Sequence, residues 1–134
     1  MKPQHFFCYF AVVAVLFTAC KKDKEDKDFR TKWIGDWNFD VKRSEFHYGN
    51  ESETTYCYSG EISLGNSPYE LQIKYNQSSL LKAYVNEDGS LHVPEIYIHN
   101  YSGQFEGNDR MHLHMEGGTL NGTQSWALTI WGTR

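Results

Sequence analysis

His112-Leu113-His114 places two imidazoles two residues apart, and Glu116 follows at the same spacing. On a strand these three side chains share one face, within reach of a common divalent ion. Zinc would need a third ligand and groups that fix the imidazole tautomers; His92 and His99 are the further candidates. A solvated outer face gives the same pattern, so no metal and no other cofactor is assigned. Cys57 has no cysteine-enzyme signature around it and reads as a partly buried, inert thiol. The carboxylates Glu61, Glu70, Glu95, Glu106 and Asp109 are scattered. Gly-x-Ser-x-Gly, a phosphate-cradling glycine loop and a dinucleotide fingerprint are all missing. The expectation is a protein that is not an enzyme. Tyr84 and Trp131 stand on the polar parity of their segments, where a flat ring can stack on a sugar or anchor a protein partner.

The segments that must position these residues are strands. From residue 29 to 134 apolar side chains recur with period two, and Gly, Asn, Asp and Ser interrupt them at hairpin spacing. No convincing helix is legible. Trp37, Phe39 and Val41 form one apolar row, and Tyr56, Tyr58, Ile62 and Leu64 a second, with Gly60 fitting a bulge or a sharp bend. Tyr69, Leu71, Ile73 and Tyr75 form the cleanest row. Leu81, Ala83, Val85, Leu91 and Val93 make a hairpin; Met111, Leu113 and Met115, then Trp126, Leu128 and Ile130, close the chain. A three-residue loop at 87–89, with Gly89 left-handed, sets Val85 opposite Leu91. A three-residue loop at 107–109 sets Phe105 opposite Met111 and keeps the faces unmixed. Pro94 marks a bulge or an edge. About eight strands need their apolar faces covered, and a small antiparallel meander β-barrel does this without open edges; a β-sandwich is the alternative.

The N-terminal part is of another kind. The run 6–17 (FFCYFAVVAVLF) is apolar but shorter than the roughly 20 residues that span a bilayer. It ends in Thr18-Ala19-Cys20, which resembles the lipobox of bacterial lipoproteins, with Leu16 one place further out than usual and Phe17 in its stead. The resemblance implies a signal peptide over 1–19, a lipid on Cys20 and a charged tether over 20–28. Residues 21–28 hold four bases and four acids and nothing apolar, the composition of a solvated segment. Lys21 in place of aspartate, by resemblance to Gram-negative lipoproteins, implies the outer membrane; the Lys- and acid-rich start resembles the export signal of Bacteroidota surface lipoproteins. With Cys8 and Cys20 so placed, Cys57 stands alone and no disulfide can form in the domain.

Loss of Lys2 with 1–19 takes the formal charge from -4 to -5, which excludes a basic nucleic-acid stripe. The Asn-x-Ser/Thr triplets at Asn50, Asn76, Asn100 and Asn121 read as turn chemistry. Gly35-Asp36-Trp37 at the domain start and Trp131-Gly132-Thr133-Arg134 at its end are similar to lipocalins and related calycin barrels. There a first-strand Trp closes one end and a last-strand cation lies across its indole, a contact of about 0.5–2 kcal/mol. Tyr58-Ser59-Gly60-Glu61-Ile62 and Gly103-Gln104-Phe105 add likeness to small lipocalin-like lipoproteins of Bacteroidota. The implied function is a lipid-anchored barrel holding a small apolar or sugar ligand, with Trp37, Tyr84, Trp131 and Arg134 as the ligand-binding candidates. The alternative is a protein-interaction lipoprotein, such as an inhibitor of a lysozyme or protease, using a projecting loop over 45–55. Tyr56, Cys57 and Gly60 resemble the lysozyme-inhibitor type, whose disulfide partner this chain lacks. A monomer is the expected state.

Overall fold

The structure, a computed structural model, describes residues 27–95, 98–120 and 122–134. The expected signal peptide, Cys20 and most of the expected tether lie outside the described residues. A 3-10 helix (Phe29–Trp33) precedes β1 (Gly35–His47), β2 (Asn50–Leu64), β3 (Glu70–Lys74), β4 (Leu81–Val85), β5 (Leu91–His92), β6 (Ile98–Glu106), β7 (Arg110–Gly118) and β8 (Gln124–Thr133). All pairings are antiparallel, in the order β5-β4-β3-β2-β1-β8-β7-β6. The last strand therefore returns to the first. The two outer strands also approach each other: Ser90 bridges Gln104, and the Phe105 amide donates to the Gly89 carbonyl over 2.9 Å. The result is a nearly closed meander barrel, not a sandwich.

Period two decides what is inside. Trp37, Phe39 and Val41 of β1, Leu71 and Ile73 of β3, and Leu113 and Ile130 of β7 and β8 are buried in one core. Both loops behave as their sequences require. Val85 faces Leu91, Phe105 faces Met111, and Gly89 takes φ +87°, open to a residue without Cβ. Pro94 lies just past the end of β5, where its missing amide hydrogen leaves no ladder bond unmade. Seam closure needs Gly103, since a Cβ there would stand 2.7 Å from Leu113 Cδ1 and 2.9 Å from Leu91 Cβ.

Several expectations are corrected. Gly60 is no bulge: the β1–β2 ladder runs through Trp37 opposite Gly60 without a shift, and the Lys74 carbonyl lies 1.9 Å from where a Cβ would be. Residues 45–55 are not a loop. They are the paired ends of β1 and β2, joined by Tyr48 and Gly49, both at positive φ, as a two-residue type I′ turn demands. Tyr69 is 57% exposed while Glu70 is buried. Tyr69 precedes the β3 ladder, so the pleat no longer dictates its side; its ring lies 6.2 Å from Phe29. Leu64, at the end of β2, is exposed as well.

The short 3-10 helix is legible only in retrospect. Asp28 caps it, its carboxylate accepting the Arg30 amide at 3.0 Å. Its last residue, Trp33, plugs one end of the barrel. The indole stacks on Phe105 at 4.5 Å and donates Nε1–H to the Gly107 carbonyl. Arg30 is 6% exposed and fully engaged: it pairs with Asp28 and donates to the Ser67 and Glu70 carbonyls at 2.6 and 2.7 Å. Each holds the other's charge: the guanidinium keeps the Asp28 carboxyl below its ordinary range, and Asp28 raises Arg30. This end is closed.

Candidate functional site

The inward row of β1 runs Trp37, Phe39, Val41 and then Arg43 and Glu45. The first three are buried; the last two are not. A change from apolar to charged along one face marks where the interior meets water. At that level the barrel opens into a concavity of about 430 Å³. Its floor is apolar, with Leu81, Ile98, Met115 and Leu128; its rim carries Arg43, Tyr75, Ser78, Ser79, Glu95 and Trp126. Four elements supply the rim, namely β1, the connection after β3, the segment after β5 and β8, and the floor comes from β4, β6, β7 and β8.

Electrostatics at the rim are nearly balanced. Arg43 Nε pairs with Glu45 Oε1 at 2.5 Å, an exposed pair of small energetic weight. Tyr75 is buried at the rim, and that burial raises its hydroxyl above the ordinary tyrosine range, opposed in part by the Ser79 hydroxyl. It is therefore a neutral hydrogen-bond donor at neutral pH. Trp126 is half-buried and borders a second, shallower concavity of about 500 Å³ with Phe46, His99 and Glu116.

The four residues expected to bind ligand are not brought together. Trp37 is buried at the closed end and donates Nε1–H to the Trp33 carbonyl at 2.8 Å. Arg134 does not lie across the Trp37 indole. It donates instead to the Lys32 and Ile34 carbonyls at 3.3 and 2.9 Å, tying the chain's end to the start of β1. The cation over an indole is Lys32, 4.2 Å from the Trp33 ring. Tyr84 and Trp131 both point outward, but three strands separate β4 from β8 in either direction around the barrel. Trp131 lies beside its register partner His112, 5.8 Å between rings. Arg43, Tyr75 and Trp126 were missed because two stand on apolar parity and read as core. The signal that was there is Arg43, a charge continuing an apolar row.

The histidine motif resolves into local bonds. His114 Nδ1 meets Thr129 Oγ1 at 2.8 Å, and His114 Nε2 meets Glu116 Oε1 at 3.1 Å. That contact, with Asn100, lowers the Glu116 carboxyl. His92 bonds Tyr101 and His99 bonds the Gly118 carbonyl, so neither joins His112 and His114. Among the described residues no three His, Cys, Asp or Glu side chains are grouped to hold a metal ion. Cys57 is exposed, not partly buried, because it faces outward between Tyr56 and Tyr58. Its thiol donates to Asp40 Oδ1 at 2.9 Å, and the neighbouring carboxylate raises it, which keeps it protonated and unreactive.

No family model matches the chain. No curated protein is similar to it in sequence. Among solved structures it is similar to the crystal structure of the ywiB protein from Bacillus subtilis, at 9% identity and a TM-score of 0.52, over 78% of this chain and 97% of that one. At that identity the likeness concerns the fold alone.

Proposed function

We propose that the chain is a lipid-anchored surface protein whose barrel holds a small amphipathic molecule in its open mouth. One observation carries the reading: the inward β1 row turns from Val41 to Arg43 over an apolar floor of Leu81, Met115 and Leu128. A ligand with an apolar body and a polar head would bury its body on that floor and leave its head among Arg43, Tyr75 and Glu95. Pockets of this size with a few convergent polar groups are the usual form of small-molecule sites. The anchor rests on the sequence, through the lipobox resemblance at Cys20 and the charged stretch after it. The lipocalin-like lipoproteins of Bacteroidota remain the family it resembles. Asp28 and Arg30 lie at the closed end, so the tether would join the barrel on the side away from the mouth.

A thermal-shift screen of residues 20–134 carrying Cys20→Ser, against fatty acids, haem and short-chain amphiphiles, tests the mouth. A ligand at 100 times its dissociation constant adds about 2.7 kcal/mol, on the order of ten degrees in a domain of this size. The shift should vanish in Trp126→Ala. No shift from any of these classes sinks the small-molecule reading. The anchor is tested separately: palmitate labelling should be lost in Cys20→Ala and the protein released from membranes.

A second reading has its own observation. The β1–β2 hairpin presents Phe46 and Tyr48, both exposed, and β2 over 50–60 has β1 as its one strand partner among the described residues. A free strand edge is a surface for a protein partner. Inhibition of a lysozyme or protease, lost in Tyr48→Ala, would favour it.

A further inference from the structure

We propose that a cleft on the barrel's flank, at the β5–β6 seam, binds a neutral oligosaccharide, independently of whatever occupies the mouth. Over the first half of β1 the outward positions are Asp36, Asn38, Asp40 and Lys42, the ordinary polar dress of a barrel wall. At the seam the wall is aromatic. Tyr84 and His92 are register partners on β4 and β5, with near-parallel rings 6.5 Å apart at 26°. Tyr101 reaches across from β6, stands at 81° to the His92 ring at 4.7 Å, and bonds its Nδ1. Tyr69, more exposed than Tyr84 and Tyr101, flanks the group.

Together with Asn86 and Ser90 these rings border a concavity of about 530 Å³. No acidic or basic side chain except His92 lines it, which disfavours a charged ligand. Flat ring faces take the C–H face of a pyranose, and the Tyr84 and Tyr69 hydroxyls and the Asn86 amide can bond its hydroxyls. Rings on adjacent strands follow the strand spacing of about 4.8 Å. An extended sugar chain can therefore meet more than one of them. The seam exists because β5 pairs with β4 through only two residues and, among the described residues, shares no ladder with β6; the backbones meet just before β5, at the Ser90–Gln104 bridge and the Phe105 amide bond to the Gly89 carbonyl. Tyr101 can reach His92 only through that gap.

Isothermal titration of the full chain in a non-glycosidic detergent, with cellotetraose, chitotetraose and maltotetraose, tests the site. Saturable binding of at least one, with a dissociation constant of about 1 mM or tighter, is the expected result. Tyr84→Ala should weaken it at least about tenfold, and Tyr69→Ala serves if that variant does not fold. Arg43→Ala, at the mouth, should leave it unchanged. Absence of saturable binding by all three sugars overturns the proposal. So does loss of binding in Arg43→Ala with retention in Tyr84→Ala, which would move the sugar into the mouth.

Discussion

The two ends of this barrel are cut from the same strands and do opposite things. At one end β1 contributes Trp37 and Phe39; at the other, two turns of the pleat later, Arg43 and Glu45. The closed end gathers Trp33, Trp37 and Phe105 into stacked and edge contacts, and satisfies every indole N–H with a carbonyl. It also buries Arg30 against two carbonyl acceptors and pairs it with the half-buried Asp28 carboxylate. The mouth has one half-buried indole, an exposed ion pair and open space. Packing is spent on stability at one end and withheld at the other, which is how a small barrel can be both firm and receptive.

The largest test of that contrast is Trp33→Ala. It deletes the plug and its bond to Gly107, and should cost about 3–5 kcal/mol, lowering the thermal midpoint by more than about 12 °C. A loss of only a few degrees would mean that the 3-10 helix is an ornament on a barrel closed by other means. Next comes Arg30→Ala, which removes a charged donor from the Ser67 and Glu70 carbonyls, leaving each with one backbone amide, and takes away the partner of Asp28; about 2–4 kcal/mol by urea unfolding is expected.

The acid limb sharpens the same end. Asp28 has its folded pKa lowered by Arg30. Its stabilising contribution is therefore complete above the unfolded value of about 3.9 and disappears as pH falls through the lower, folded one. Asp28→Asn should be less stable than the parent at pH 7, and the gap should shrink below about pH 4. A gap constant from pH 7 to pH 2 would show that the carboxylate's charge is not what matters. At the mouth, Arg43→Ala should change stability by less than about 1 kcal/mol, because Arg43 is exposed and its partner Glu45 is only half-buried. A larger loss would mean that the mouth is a structural element. Smallest of all, Cys57→Ser should leave the midpoint where it is, and the thiol should react slowly with thiol reagents at pH 7, since Asp40 holds it protonated.

Much of the wall was legible in the residues. Alternation in β1, β3, β4 and β7 named the buried side chains, and Gly89 and Gly107 set the two registers. Legibility failed where the chain leaves the ladder. Tyr69 and Glu70 exchange sides at a strand's first residue, and Trp33 carries no period because it sits in one turn of helix. The candidate site failed differently. Tyr84 and Trp131 were recognised as outward rings, but their separation around the barrel depends on strand order, which no local pattern contains.

What the sequence determined alone is therefore period, turn chemistry and face: which side of each strand is apolar, and that about eight such strands must cover one another. What the tertiary structure decided is which ends meet. Arg134 reaches Ile34 and Lys32 across the length of the chain, and Tyr101 crosses a seam to His92. Trp126 stands over a mouth when its parity alone made it core. These are contacts between residues far apart in sequence, fixed by strand order and barrel closure. A pattern of period two carries the face of each residue but not its neighbours across the barrel.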